Sequence, residues 1–80
     1  MIEDSDAAQA RIFAAMLNTE IAETSIRIEN NERYAHTAGR IGDTRGKLWH
    51  TEEARVQKNA LYELHRQLDA LRLRFPTIDN

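Results

Sequence analysis

The sequence predicts an all-α protein made of two long antiparallel helices, an αα-hairpin of the coiled-coil type. Three observations support this prediction. Each half of the chain carries an apolar stripe with alternating spacings of three and four residues, Gly and Pro are scarce, and all three glycines fall within residues 39–46. Because glycines between two amphipathic stretches end one helix and allow the next to start, the chain should fold back there.

The length predicts one domain, residues 1–80, with a small core. A chain this short buries only about 60–65% of the surface that its unfolded form exposes. It has no cysteine, so disulfides and thiolate metal sites are excluded as stabilising elements. Self-association is the remaining way to compensate for the small core, and we expect the hairpin to dimerise into a four-helix bundle.

The first helix is predicted over about residues 5–40. Asp4 or Ser5 offers a side-chain oxygen that could accept hydrogen bonds from the first-turn amides. From Phe13 the stripe continues through Phe13, Leu17, Ile21, Thr24, Ile28, Asn31, Ala35 and Ala38. Its second half contains small and polar residues, which predicts weaker packing towards the turn.

The turn is predicted over residues 39–46. Gly39 or Gly42 can adopt the left-handed conformation that terminates a helix, and Asp43 or Thr44 can cap the next one. A connection this short favours antiparallel neighbours.

The second helix is predicted over about residues 46–75, followed by a short tail, 76–80, that starts with the helix-breaking Pro76. Trp49, Val56 and Ala60 lie roughly in line with its leucine stripe. We expect the tail to fray unless Ile78, which continues the heptad spacing, is captured by a partner. The predicted helix–helix seam is Phe13, Leu17, Ile21, Ile28, Val56, Leu61, Leu64, Leu68, Leu71 and Phe75.

Apolar residues outside this seam predict a second contact surface. They are Ile12, Met16, Ile26, Tyr34, Tyr62 and Leu73. The seam should pack most weakly in the half of the hairpin near the turn. We therefore predict a candidate partner surface there. Its residues are Asn31, Tyr34, His36, Trp49, His50 and Tyr62.

No catalytic, cofactor-binding or metal-binding residue is predicted. The residues three positions before His36, His50 and His65 are not glutamates, so the Glu-x-x-His signature of helical di-iron sites is missing. The acid pairs Glu20/Glu23 and Glu29/Glu32 have the spacing of a magnesium-dependent nucleotide hydrolase, but the second helix supplies no matching pair. Alternation of Glu and Arg, as in Glu23/Arg27 and Glu29/Arg33, favours salt bridges on a solvated face instead.

The charge distribution leaves a second function class open. Residues 1–43 carry eight acidic and four basic side chains, whereas residues 44–80 carry five acidic and seven basic ones. Opposite charges suit two helices that pair with each other. They also permit an alternative in which Arg55, Lys58, Arg66, Arg72 and Arg74 bind nucleic acid.

The leading functional prediction is therefore a non-enzymatic protein–protein interaction module, such as a small adaptor, chaperone or inhibitor that regulates a larger complex. It would self-associate or bind a larger protein through coiled-coil surfaces. An acidic N-terminus and the lack of an apolar run of membrane-spanning length predict a cytoplasmic location without membrane contact. A nucleic-acid-binding hairpin dimer is the alternative, and a metal-dependent nucleotide hydrolase is the third class.

Overall fold

The computed structural model describes the backbone of residues 2–78 and the side chains of residues 5–78. Two α-helices, α1 (Ile2–Arg40) and α2 (Thr44–Arg74), pack against each other as an antiparallel pair. The prediction of an all-α hairpin is confirmed. Measured on Cα atoms, the molecule extends 61 × 15 × 14 Å, the shape of a thin rod.

Helix α1 starts earlier than the capping residues suggested. It begins at Ile2, so Asp4 and Ser5 lie within its first turns and not at the position before it. Thr24 and Ser25, which lower helix propensity, do not interrupt it. The Ser25 hydroxyl donates to the carbonyl oxygen of Ile21 at 2.9 Å, which satisfies its hydrogen-bonding group without opening the helix.

The turn is shorter than the glycine-rich segment. Only residues 41–43 separate α1 from α2, and Gly42 has a φ of 78°, the left-handed conformation expected at a helix C-terminus. Asp43 caps α2: its Oδ1 accepts a hydrogen bond from the backbone N–H of Gly46 at 2.9 Å. These two residues reverse the chain within one tight connection.

The inner seam between the helices follows an unbroken heptad pattern. On α1 its residues are Ala10, Ala14, Leu17, Ile21, Thr24, Ile28, Asn31, Ala35 and Ala38, all buried or half-buried. On α2 they are His50, Ala54, Gln57, Leu61, Leu64, Leu68, Leu71 and Phe75, also buried or half-buried. Spacings of three and four alternate throughout, which keeps one line of each helix against the other.

The seam prediction is wrong at two positions. Phe13 and Val56 are each 46% exposed, and their neighbours Ala14 and Gln57 take the inner positions. The leucines fix a heptad register that continues along both helices. This register decides which residues face the other helix, even where a neighbouring residue is more hydrophobic. The remaining predicted seam residues lie at the interface.

The core is concentrated at the open end of the hairpin. Ala10, Ala14, Leu17, Leu68 and Ile78 form a buried cluster, and Ile21, Leu64, Leu71 and Phe75 pack against it. Ile78 is buried within the hairpin itself, without a partner chain, because the segment after α2 turns back over α1. The turn is held by a hydrogen bond from the Ile78 N–H to the carbonyl oxygen of Phe75, at 3.2 Å. Asp79 and Asn80, the end of the predicted tail, lie outside the described residues.

Neither helix combines the length and apolar character needed to cross a membrane, within the part of the chain that the structure describes.

Candidate interaction surface

A small polar and aromatic group joins the helices near the turn. His50 occupies a half-buried inner position on α2 and faces Asn31 on α1, with 3.4 Å between its Nδ1 and the Asn31 Oδ1. In the tautomer that carries the proton on Nδ1, His50 donates to the amide oxygen. The half of the seam near the turn therefore contains a polar hydrogen bond at inner positions, whereas the other half is filled by leucines.

Two aromatic rings flank His50. The ring of Tyr34 lies 5.2 Å from the imidazole at 46°, and the indole of Trp49 lies 5.0 Å away in an edge-on arrangement at 86°. These distances and tilts are in the range in which aromatic pairs attract each other. Tyr34 and Trp49 remain 54% and 60% exposed, so the group carries an apolar surface outwards from the seam.

The structure brings together four of the six residues predicted as a partner surface. Asn31, Tyr34, Trp49 and His50 form this group. His36 is two positions beyond Tyr34 and therefore points to the other side of α1, where it lines a shallow groove with Gly39 and Lys47.

Tyr62, the sixth residue, is 68% exposed and also lies away from the aromatic group. It is thirteen residues beyond Trp49 on the same helix, a separation of about 20 Å at the α-helical rise of 1.5 Å per residue. The predicted surface is thus split between two regions of the hairpin.

The two flanks of the seam differ in character. We call one flank the Glu32 side, because Glu32 forms an ion pair across the helices with Lys58, with Nζ and Oε2 3.1 Å apart. We call the opposite flank the Tyr34 side. Helical periodicity places four α1 residues at heptad intervals along it: Phe13, Glu20, Arg27 and Tyr34.

The Tyr34 side carries more of the exposed apolar side chains than the Glu32 side. The large hydrophobic residues exposed among those described are Ile12, Phe13, Met16, Ile26, Tyr34, Ile41, Leu48, Trp49, Val56, Tyr62 and Leu73. All six members of the second contact surface predicted from the sequence are in this set. Phe13, Met16, Tyr34, Trp49 and Val56 lie on the Tyr34 side, whereas Leu48 and Tyr62 lie towards the Glu32 side.

Sequence reasoning missed Phe13 and Val56 as outward-facing residues. The signal that could have found them is the regular step from Leu17 back to Ala14 and Ala10, which continues the alternation that Phe13 breaks. Alanine carries little hydrophobic weight, so this step is hard to distinguish from a surface pattern.

Three arginines of α2 form ion pairs with acidic residues of the same helix. The Nε of Arg55 donates to Glu52 at 2.9 Å, and this hydrogen bond holds the pKa of the exposed Glu52 carboxyl below its usual value. Arg66 and Arg72 pair with Glu63 and Asp69 on the preceding turn. A nucleic-acid backbone would have to compete with these carboxylates for the same cations.

The acidic pairs of α1 do not assemble a metal site. No group of three or more carboxylates or histidines converges among the residues that the structure describes. The predicted pair Glu23/Arg27 does not form as expected, because Arg27 reaches Glu20 instead, at 3.7 Å. An ion pair between Glu29 and Arg33 is likewise not found in the described part of the chain.

Comparison with known proteins adds no relative: no family model matches the chain, and searches of curated proteins and of solved structures give no significant match.

Proposed function

We propose that this chain is a non-enzymatic protein–protein interaction module, which acts through the outer face of its hairpin as a small adaptor, chaperone or inhibitor of a larger complex. The observation that carries the proposal is the set of exposed apolar side chains on the Tyr34 side. Tyr34, Trp49 and Val56 lie towards the turn, and Phe13 and Met16 lie about 30 Å away along α1. Large exposed apolar areas on a soluble chain are typical of interaction sites.

The aromatic group gives this surface an anchor. Tyr and Trp contribute much of the binding energy at protein interfaces, since each presents a large rigid area with a polar group at its edge. The ring contacts with His50 restrain Tyr34 and Trp49 at one end of the Tyr34 side. A restrained side chain loses less conformational entropy when a partner covers it.

Nucleic-acid binding has weaker support. Four of the five basic residues considered for it, Arg55, Lys58, Arg66 and Arg72, already have carboxylate neighbours. The chain is also acidic overall, with a net charge of −2 at pH 7. Most non-specific affinity for nucleic acid comes from unbalanced positive charge, and residues 44–80 carry only two more basic than acidic side chains.

The proposal is tested by using the immobilised chain to retain proteins from cells that produce it. Trp49→Glu should abolish retention, because it places a charge in the aromatic group. Tyr62→Glu is the matched control: it introduces the same charge at an aromatic residue of similar exposure, 68% against 60%, on the other side of α2. Circular dichroism should show equal helicity for both variants.

Two results would contradict the proposal. One is retention of nucleic acid alone, with affinity that falls steeply as salt is added. The other is equal loss of the bound protein in the Trp49→Glu and Tyr62→Glu variants, since that would remove any role for the Tyr34 side.

A further inference from the structure

The hairpin exposes more surface than a compact protein of its size. Its accessible surface is 6198 Å², whereas a compact monomer of 9.2 kDa would expose about 4,900 Å². The radius of gyration is 17.5 Å, against about 12 Å for a globular domain of this length. The excess, about 1,300 Å² per chain, is more than the ~800 Å² that each partner buries in a standard stable interface.

The Tyr34 side has a self-complementary order of side chains. Along α1 its four heptad positions read aromatic, acidic, basic, aromatic: Phe13, Glu20, Arg27 and Tyr34. Reversing this order exchanges the two aromatic residues with each other and the acid with the base. A second copy laid antiparallel on this line therefore places Phe13 opposite Tyr34 and Glu20 opposite Arg27, each pair twice by symmetry.

We propose that the occupant of the Tyr34 side is a second copy of this chain, packed with α1 against α1 and with the two turns at opposite ends of a four-helix bundle. This inference rests on the interaction function proposed above and names one partner for it. The Glu20–Arg27 ion pair within one chain, at 3.7 Å, becomes part of a group of four alternating charges at the centre of the dimer.

The charges disfavour the dimer with both turns at the same end. In that arrangement α1 faces α2 of the second copy at the same level of the rod. Leu17 and Leu68 share one layer of the core, so Glu20 lies close to the level of Glu63. Glu20 and Glu23 would then each face Glu63, and like charges across an interface are destabilising. The opposite-end dimer brings together one like-charged pair, Glu23 with its own copy beside the axis, and offsets it with two Glu20–Arg27 pairs.

The contact near the two-fold axis combines charged residues of α1 with a small residue of α2. The pairing of Phe13 with Tyr34 and of Glu20 with Arg27 fixes the axis between residues 23 and 24 of α1. At this level, α2 presents the small side chain of Ala60 on the same flank. Trp49 and Val56 lie farther along α2, where they extend the apolar contact towards the other copy.

The test is a set of charge reversals read by sedimentation equilibrium. The unmodified chain should have the mass of a dimer at micromolar concentration. Glu20→Arg and Arg27→Glu should each weaken the dimer at least about tenfold, because each places two like-charged pairs at the interface. Glu29→Arg is the control, since it reverses an exposed charge of α1 outside the Tyr34 side.

Mixing the two weakened variants decides the orientation. Glu20→Arg carries two arginines at these positions and Arg27→Glu carries two glutamates, so an equimolar mixture should restore the dimer as a heterodimer. Restoration cannot come from a pair within one chain. It is also not expected with the turns at the same end, because Glu20 and Arg27 do not then meet.

A cross-link gives an independent reading of the axis. The chain has no cysteine, so an introduced thiol is unique. Glu23→Cys lies beside the proposed axis and should oxidise to a covalent dimer. Gln9→Cys, two heptads earlier on the same line, should not, because its counterpart would lie about 40 Å away along the antiparallel rod.

Four outcomes overturn the inference: a monomer mass for the unmodified chain, equal effects of Glu29→Arg and Glu20→Arg, failure of the mixture to associate, or efficient cross-linking through Gln9→Cys. A monomer that retains another protein through Trp49 removes the self-association and leaves the proposed function intact. A monomer that retains no protein removes both.

Discussion

At the scale of single residues, the hydrogen-bonded pair of Asn31 and His50 is the least hydrophobic contact of the seam. We expect Asn31→Leu to lower the free energy of unfolding by about 1–2 kcal/mol, because the His50 Nδ1 loses its partner. The double variant Asn31→Leu/His50→Leu should recover this loss or exceed the original stability, since apolar side chains replace both partners. Urea unfolding measures both values.

The contrary result for this pair would be a double variant that is less stable than Asn31→Leu alone. The hydrogen bond would then not be the term that governs packing near the turn, and the Tyr34 and Trp49 rings around His50 would carry more of the stability.

Two glycines of the turn region should respond to alanine in opposite directions. Gly42 has a positive φ of 78°, so Gly42→Ala should destabilise the hairpin by about 1 kcal/mol. Gly39 lies inside α1, and the nearest atoms that an added Cβ would meet belong to the flexible Lys47 side chain, at 3.3 Å from its Cδ. Gly39→Ala should therefore stabilise by about 0.5–1 kcal/mol. Thermal unfolding of both variants is the measurement, and a gain from Gly42→Ala would contradict the turn geometry.

At the scale of the helices, the heptad phase was predictable, and it located most of the seam from the leucines and isoleucines alone. Phe13 and Val56 were wrongly placed because their hydrophobicity was weighed above their angle on the helix. The inner positions of the weak half hold Ala54, Gln57 and His50, which no hydrophobic pattern marks as interior. The sequence predicted which residues belong to the aromatic group. It did not predict the distances and angles between their rings, because these depend on how the two helices pack.

The corrected seam predicts a sharp contrast within α2. Leu68→Ala should lower the free energy of unfolding by about 3 kcal/mol, because Leu68 is only 2% exposed and belongs to the main buried cluster. Val56→Ala removes a side chain that is 46% exposed and should cost less than about 1 kcal/mol in the monomer. Chemical denaturation separates the two, and equal losses would mean that Val56 is an inner residue.

The segment after α2 should behave as part of the core. Ile78→Ala is expected to lower stability by about 2 kcal/mol, since Ile78 is buried with Ala10 and Ala14. Thr77→Ala, one position earlier and exposed, is the control. Equal stability of Ile78→Ala and Thr77→Ala would mean that the tail does not close the open end of the hairpin.

At the scale of the whole molecule, the thin rod predicts a stability that depends on concentration. If a second copy covers the Tyr34 side, the midpoint of thermal unfolding should rise as the chain concentration increases, because the dimer is favoured by mass action. Arg27→Glu should flatten this dependence, whereas Glu29→Arg should leave it unchanged. A midpoint of the unmodified chain that does not move with concentration would indicate a monomer that unfolds alone.

The concentration of the core at the open end also bears on the order in which the hairpin forms. The main buried cluster joins residues far apart in sequence, Ala10 and Leu17 with Leu68 and Ile78, whereas the inner residues beside the turn are small or polar. The chain must therefore close a long loop before it gains most of its stabilisation, which slows folding relative to a hairpin that zips from its turn. In the folded state, amide hydrogens next to the turn should exchange with solvent sooner than those around Leu17 and Leu68.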